Sequence, residues 1–451
     1  MALPSERSPA AKLGFAILIA ALLAIPIFSV WLLVYDRQTQ SETARASIAE
    51  GWGGAQTIAG PLLVIPYRAT VTETVAEANR QVERAREVWR ELALAPESAD
   101  LATRIEPERR RRSIYEVVLY QAHVAGTARF AMPADLARFG VAPSDMAFDR
   151  AELRFGLSDP RGLSGTPPRI RMGTTPLRLQ PGVGTAATGG SGFFAWVDAS
   201  GLAAAPLEVA FDYDVRGNSG LSLIPQAGDT RWRVTSSWPH PSFGGGFIPA
   251  DRTVGADGFT ATYRVGNLAL GQSLLSVDNA QGGVPISGEE RLDARIDLIE
   301  PVDLYSRVDR SAKYGFLFIG FTFAALLLFD IIGGIRVSSV EYLLVGAALV
   351  LFFVLLLAFA EVIGFTPAYV VASAAIVGLN TAYSAAVLKS WRRALLIGGL
   401  LTALYALLYV LLSLEAFSLL IGSLMLFVAL AVVMYLTRNI DWGARREEVD
   451  A

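Results

Sequence analysis

Residues 13–35 read LGFAILIAALLAIPIFSVWLLVY, without one charged side chain. At ~1.5 Å of rise per residue this run reaches roughly 34 Å as a helix, enough to cross a hydrocarbon core of about 30 Å. A cleaved leader would have a shorter apolar stretch, of about 7–15 residues, ending in a small-residue cleavage site. Here bulky Tyr35 is followed directly by Asp36 and Arg37, so the run reads as an uncleaved signal anchor. Pro26 lies mid-run, where a membrane helix tolerates a kink.

Working outward, residues 36–311 have soluble polarity, and after them the chain turns apolar again. Five further runs stand out, at about 314–335, 342–360, 366–388, 394–412 and 417–436. Polar and turn residues separate them: Gly333-Gly334-Ile335-Arg336, Glu361 to Pro367, Lys389-Ser390-Trp391-Arg392-Arg393, and Ser413-Leu414-Glu415. Consecutive apolar runs of this length read as membrane spans rather than buried soluble helices. The expected organisation is an N-tail (1–12), helix 1 (13–35), an exported insert (36–311), a five-helix bundle (312–436) and a C-tail (437–451). The fold class is thus an α-helical membrane protein with six spans and a large β-rich insert between the first and second.

Orientation follows from Lys and Arg in the short loops. Arg7 and Lys12 precede helix 1, Arg336 lies between helices 2 and 3, and Lys389, Arg392 and Arg393 lie between 4 and 5. Arg438, Arg445 and Arg446 follow helix 6, while the alternate loops carry Glu361 and Glu415 and no base. With six spans every basic loop falls on one side, so both termini are expected in the cytoplasm and the insert outside. Arg307, Arg310 and Lys313 belong to the long translocated insert, which the rule does not govern.

Composition narrows the chemistry. With 53% hydrophobic and only 18% charged residues, against about 25% charged in an ordinary soluble domain, the chain is neither disordered nor a bulk-basic nucleic-acid binder. Cysteine is absent, which removes disulfides, thiolate metal sites and cysteine nucleophiles. Only His123 and His240 are present, so a three-histidine metal site is excluded. No cofactor or metal is expected, and no nucleic-acid partner; the bilayer is the one obligatory surrounding.

The insert alternates with period two. Leu207, Val209, Phe211, Tyr213 and Val215 interleave with Glu208, Ala210, Asp212 and Asp214. The same holds around Trp232–Trp238, Phe259–Val265 and Leu292–Leu298. This is the pattern of half-buried antiparallel strands, and a β-sandwich-like domain or two small β lobes are the natural arrangements. One excursion is expected at about 73–94: Val75, Ala78, Val82, Ala85, Trp89 and Leu92 recur at 3-4-3-4-3, a helix packed on its own β domain. Thr43 to Glu50 extend helix 1 beyond the membrane.

Catalytic patterns are sparse. His240 lies in Ser236-Ser237-Trp238-Pro239-His240-Pro241-Ser242-Phe243, a proline-locked loop, and no G-x-S-x-G elbow occurs. His123 lies in a strand-like stretch, and neither H-x-x-x-H nor H-E-x-x-H spacing appears. Arg109 to Arg112 form a basic run that reads as a solvated loop flank, with lipid head groups or an anionic envelope polymer as the functional alternative. In the bundle Asn380 is the most central strong polar side chain and Thr402 a weaker one. Ala374, Gly378, Ala382 and Ala386, and Ala394, Gly398, Thr402 and Ala406, form two small-residue stripes that suit close helix packing. Tyr405 and Tyr409 share a face as bundle fillers.

Several longer segments resemble the CreD inner-membrane protein family, also called cell envelope integrity proteins. They are Trp52-Gly53-Gly54-Ala55-Gln56, Gly60-Pro61-Leu62-Leu63-Val64-Ile65-Pro66-Tyr67, Arg112-Ser113-Ile114-Tyr115-Glu116-Val117 and Ser158-Asp159-Pro160-Arg161-Gly162. The segment with Trp238, His240 and Phe243 is similar to the family's periplasmic signature. The fullest match is Arg310-Ser311-Ala312-Lys313-Tyr314-Gly315 running into Phe316-Leu317-Phe318, followed by Glu341-Tyr342-Leu343-Leu344-Val345-Gly346 and Thr437-Arg438-Asn439-Ile440-Asp441-Trp442. Ser338-Ser339 and Glu415-Ala416-Phe417 depart from the family's His-Pro and Glu-Asp-Tyr at those places. The resemblance implies an inner-membrane protein tied to envelope stress, tolerance to some colicins and a two-component circuit, without established catalytic residues. Candidate functional or structural positions are therefore Trp238, His240, Phe243, Arg310, Lys313, Tyr314 and Asn380. The expected function is a non-enzymatic envelope-integrity protein whose periplasmic domain binds a partner protein or envelope polymer. The alternatives are a transporter or lipid-handling protein with a cavity near Asn380 and Thr402, and a membrane hydrolase using His240.

Overall fold

The computed structural model describes residues 9–77, 80–112, 115–134, 136–163, 165–277, 292–299, 304–331, 338–413 and 418–438. It divides into two units, Met1–Thr43 with Val302–Ala451, and Ala44–Pro301.

The first unit is helical. Helix α1 (Pro9–Glu50) runs unbroken through Pro26 and continues to Glu50 as the sequence suggests. A single turn, α2 (Asn267–Leu270), belongs to the other unit. Helices α3 (Leu304–Lys313), α4 (Gly315–Ile331), α5 (Ser339–Ile363), α6 (Phe365–Leu388), α7 (Trp391–Ser413) and α8 (Ser418–Thr437) follow. Among the described residues five segments are long and apolar enough to cross a membrane: Leu13–Ile48, Leu304–Leu328, Ser339–Ile363, Phe365–Val387 and Trp391–Leu412. In α8 the apolar helix is shorter, Gly422–Tyr435. Helix α3 groups with the spans, so the helical unit resumes before the expected boundary at residue 312.

Packing in this unit depends on small residues at particular contacts. A Cβ on Gly346 of α5 would meet Leu23 of α1, and one on Gly315 would meet the Phe353 ring at 3.0 Å. Phe352, Tyr369 and Tyr405 join α5, α6 and α7, with the Phe352 and Tyr405 rings 4.6 Å apart and the Tyr369 hydroxyl donating to the Tyr405 carbonyl at 2.8 Å. Tyr405 thus fills the bundle as expected. The small-residue stripe on α6 does not: Ala374, Gly378, Ala382 and Ala386 are exposed, while Ala368, Ala372, Ile376, Asn380 and Ser384 are buried. On α7 Ala394 and Gly398 are buried, but Thr402 and Ala406 face outward. The buried residues of α6 repeat at the same i+4 spacing, two positions out of phase, so spacing and residue size alone do not say which stripe faces a neighbouring helix.

The second unit is a sandwich of two sheets. Its strands are β1 (Gln56–Glu77), β2 (Arg80–Leu94), β3 (Ser98–Arg112), β4 (Tyr115–Phe130), β5 (Ala151–Leu157), β6 (Arg169–Met172), β7 (Thr175–Pro176), β8 (Leu179–Pro181) and β9 (Gly192–Val197). Then come β10 (Leu207–Asn218), β11 (Gly220–Ile224), β12 (Asp229–Ser236), β13 (Pro241–Gly245), β14 (Asp251–Gly255), β15 (Gly258–Gly266), β16 (Leu275–Val277) and β17 (Ala294–Leu298). One sheet runs β13-β17-β11-β1-β5-β9-β8, with β2 and β16 attached beyond β1; the other runs β14-β15-β12-β3-β4-β10-β6-β7. Pairing is antiparallel except for β1 with β11 and β12 with β3. The alternation read from the sequence holds: along β10 Val209, Phe211, Tyr213 and Val215 are buried. One core is shared by both sheets; Phe155 of β5 meets Phe211 and Tyr213 of β10 at 5.7 and 6.3 Å. Of the two expected arrangements, the single sandwich is the one found.

The helical excursion expected at about 73–94 is corrected. Residues 73–77 continue β1, and Arg80–Leu94 form β2, paired from Leu63 opposite Leu94 out to Glu77 opposite Arg80. Ala78 lies outside the described residues. The apolar stripe does not share a buried face, since Ala85 and Trp89 are exposed and Leu92 is buried. The long hairpin pairs alternate residues of both strands through their N–H and C=O groups along its whole length, and a stripe shorter than three heptads is too weak a helical preference to compete.

Candidate functional site

Two segments far apart in sequence meet where the sheets join. The Gln56 side chain is buried at 1% exposure. Its Nε2 donates to the carbonyls of Asp159 and Arg216, both at 3.0 Å, and its Oε1 accepts from the Asp159 N–H at 3.3 Å. The Gly54 N–H donates to Asp159 Oδ2 at 3.1 Å, the Thr57 N–H to Ser158 Oγ at 2.9 Å, and the Ser158 hydroxyl to the Ala55 carbonyl at 3.1 Å. Arg161 closes a fork on Asp159 at 2.9 Å, and its hydrogen bond, ahead of that from Gly54, holds the carboxyl below the usual carboxylate range. Gly53 adopts φ +126°, and a Cβ there would lie 2.9 Å from the Arg216 carbonyl; one on Gly162 would lie 2.5 Å from the same oxygen. Gly53 and Gly162 are thus required by close approach.

Trp52, Tyr120 and the arginines complete this junction. The Trp52 Nε1 donates to the Tyr120 carbonyl at 3.3 Å, and the guanidinium carbons of Arg110 and Arg216 lie 3.9 and 4.5 Å from its ring centroid. These are cation–π distances. Tyr120 on β4 reaches the other sheet through its hydroxyl, which donates to the Gly220 carbonyl on β11 at 2.7 Å. Burial pushes its pKa up.

The segment with Trp238, His240 and Phe243 is the passage from β12 in one sheet to β13 in the other. Trp238 is buried, its Nε1 donates to the Ile299 carbonyl at 3.0 Å, and Arg109 stands over its ring at 5.1 Å. Phe243 packs edge-on against Phe259 at 5.7 Å. His240 is exposed at the corner between the prolines. The basic run 109–112 is the end of β3, not the loop flank expected, and Arg109 and Arg110 cover two different tryptophans. Run length alone gave no sign of those partners; alternation along a strand would have split the two arginines between faces.

His123 lies on β4 with Nδ1 2.9 Å from Asp214 and Nε2 3.8 Å from Asp212. Among the described residues no group of three or more His, Asp or Glu is arranged to hold a metal.

In the helical unit, Arg310, Lys313 and Tyr314 mark the break between α3 and α4. Arg310 Nε donates to its own helix at Ser306, Lys313 pairs with Asp309 at 2.6 Å, and the Tyr314 N–H donates to the Arg310 carbonyl at 3.2 Å. Tyr305 of α3 donates to Glu361 of α5 at 3.2 Å. Ser338, where the resemblance departs, is an N-cap: its hydroxyl accepts from the Glu341 N–H, and Glu341 accepts from the Ser338 N–H at 2.9 Å. Asn380 is buried on α6, whereas Thr402 on α7 is exposed and donates to the Gly398 carbonyl at 2.7 Å.

These junctions use the segments on which the family resemblance rests, and comparison with known proteins reaches the same place. A family model described as "Inner membrane protein CreD" matches residues 8–443. The "Inner membrane protein CreD" of Escherichia coli (strain K12) is 32% identical over 430 residues, covering 94% of this chain and 91% of that protein. A match that runs through both units, from α1 to α8, places the chain in the CreD family of inner membrane proteins.

Proposed function

We propose that the chain is a non-enzymatic inner-membrane protein that supports cell-envelope integrity. It crosses the membrane six times with both termini in the cytoplasm and holds its β unit in the periplasm, where that unit binds an envelope protein or polymer. The observation that carries this reading is a β unit with its own two-sheet core, inserted in sequence between helices apolar enough to span. The polar residues of the family segments support the non-enzymatic part. Gln56, Asp159 and Trp238 are engaged in bonds that hold the fold, and His240 lies at an exposed corner. Loop charge supports the orientation.

The test removes residues 44–301, joins the flanking helices by a short linker, and measures envelope permeability and detergent sensitivity in cells. Loss of envelope function with normal membrane insertion is expected; normal envelopes would sink the reading. A periplasm-specific reporter at the C-terminus is expected to stay inactive, and activity there would overturn the six-span orientation.

A further inference from the structure

A groove of about 960 Å³ lies on the outer face of the eight-stranded sheet, over β12, β3, β4, β10 and β6. Strand register builds it. Arg231, Asp100, Thr127, Ala210 and Arg171 stand in one row across the sheet, and Arg233, Ala102, Ala125, Asp212 and Arg169 in the next. Each row has arginine at both ends and small residues in the middle. The walls on β12 and β6 are four strand spacings apart, roughly 19 Å, before the arginines lean inward. All four arginines are exposed. Arg231 lies 3.5 Å from Asp100, whereas Arg169, Arg171 and Arg233 make no ion pair among the described residues.

We propose that this groove binds an extended acidic peptide segment of a partner protein. It rests on the reading of the β unit as the binding element, and narrows it to a place and a ligand chemistry. Two features select the ligand. The arginines of each wall are two residues apart on one strand, ~7 Å, which is also the spacing of same-side residues in an extended peptide. Carboxylates at alternate positions of such a peptide therefore meet successive guanidiniums, and each carboxylate can accept two hydrogen bonds from the guanidinium it faces. Asp100 and Asp212 also lie between the walls. They would repel a chain charged at every unit, such as a polyphosphate, but they accept hydrogen bonds from the backbone N–H groups of a peptide. Alanines between the walls leave room for that backbone.

The experiment uses the full chain in detergent micelles and three labelled probes. These are a peptide of alternating Asp and Thr, an isomer with the same residues in two blocks, and linear polyphosphate. The alternating peptide is expected to bind about tenfold more tightly than the isomer, and to weaken by about tenfold or more in the R171A/R233A double variant, the scale of lost charge-assisted contacts. Its affinity should fall as salt rises, because the contacts are exposed charges. An R171K/R233K variant, which keeps charge but not the forked geometry, should recover part of the affinity. Equal binding of both peptides, tighter binding of polyphosphate, or full affinity in an R171A/R233A variant that melts like the parent would each overturn the proposal. In cells, an R171A/R233A strain with intact envelopes beside a failing 44–301 deletion would reject the groove and leave the functional reading standing. A silent deletion would reject that reading, and the peptide titration would still decide the groove.

Discussion

Gln56→Leu tests the junction between the sheets. Leucine is close to glutamine in volume, so the change removes hydrogen bonds while leaving little cavity. Three bonds disappear outright, the two donated to the Asp159 and Arg216 carbonyls and the one accepted from the Asp159 N–H, while the Ser158 hydroxyl, 3.4 Å from Gln56 Oε1, keeps its bond to the Ala55 carbonyl. At about 1 kcal/mol net each the loss is about 3 kcal/mol, and it grows toward 6 kcal/mol if the stranded groups stay dry at about 2 kcal/mol each. A domain of this size shifts by about 2–4 °C per kcal/mol, so the β unit should melt roughly 10 °C lower. The assay is near-ultraviolet circular dichroism of the purified full chain in micelles, where the tryptophans and tyrosines of the sandwich report its packing. Amide exchange at residues 54–57 and 157–162 should accelerate while exchange in α5 to α7 stays unchanged. A shift under about 2 °C with unaltered exchange would refute the argument, because it would mean that Gln56 does not hold the two segments together.

Gly53→Ala should lower β-unit stability by about 1–3 kcal/mol in the same melt, because Gly53 holds φ +126° with the Arg216 carbonyl in the way of a Cβ. Trp238→Ala should cost about 3–5 kcal/mol by emptying a buried site, whereas His240→Ala at the exposed corner should stay within about 0.5 kcal/mol. Burial raises the pKa of Tyr120 and Tyr213, so the native state keeps these protons to higher pH than the unfolded chain. Above about pH 10 the unfolded state binds fewer protons, and stability should fall with rising pH by about 1.4 kcal/mol per unit for each tyrosine. Melts from pH 9 to 11 check this, and Tyr213→Phe should flatten the slope.

Elements with one strong local signal were legible. Charge-free runs mark α1 and α5 to α7, and period-two alternation marks β10, β12, β15 and β17. The β1–β2 hairpin was not, because its apolar residues recur at helical spacing and only pairing with β1 makes Arg80–Leu94 a strand. The exposed stripe on α6 failed for a related reason: small residues permit close packing but do not say which side has a neighbour. The candidate positions divide the same way. Trp238 and Phe243 were singled out, but their part in carrying the chain between sheets appears only with the topology.

By itself the sequence determined the two kinds of material in this chain, the alternation of the strands and the family, because length, polarity and period are local quantities. Tertiary structure decided which strands are neighbours, and with that everything that depends on register. Gln56 meets Asp159, and Arg110 meets Trp52, across long stretches of sequence. The arginine walls of the groove arise from two strand segments, Arg231–Arg233 and Arg169–Arg171, that face each other only because three other strands lie between them. Hydrogen-bonded pairing sets those distances, and pairing partners are not written in the residues nearby.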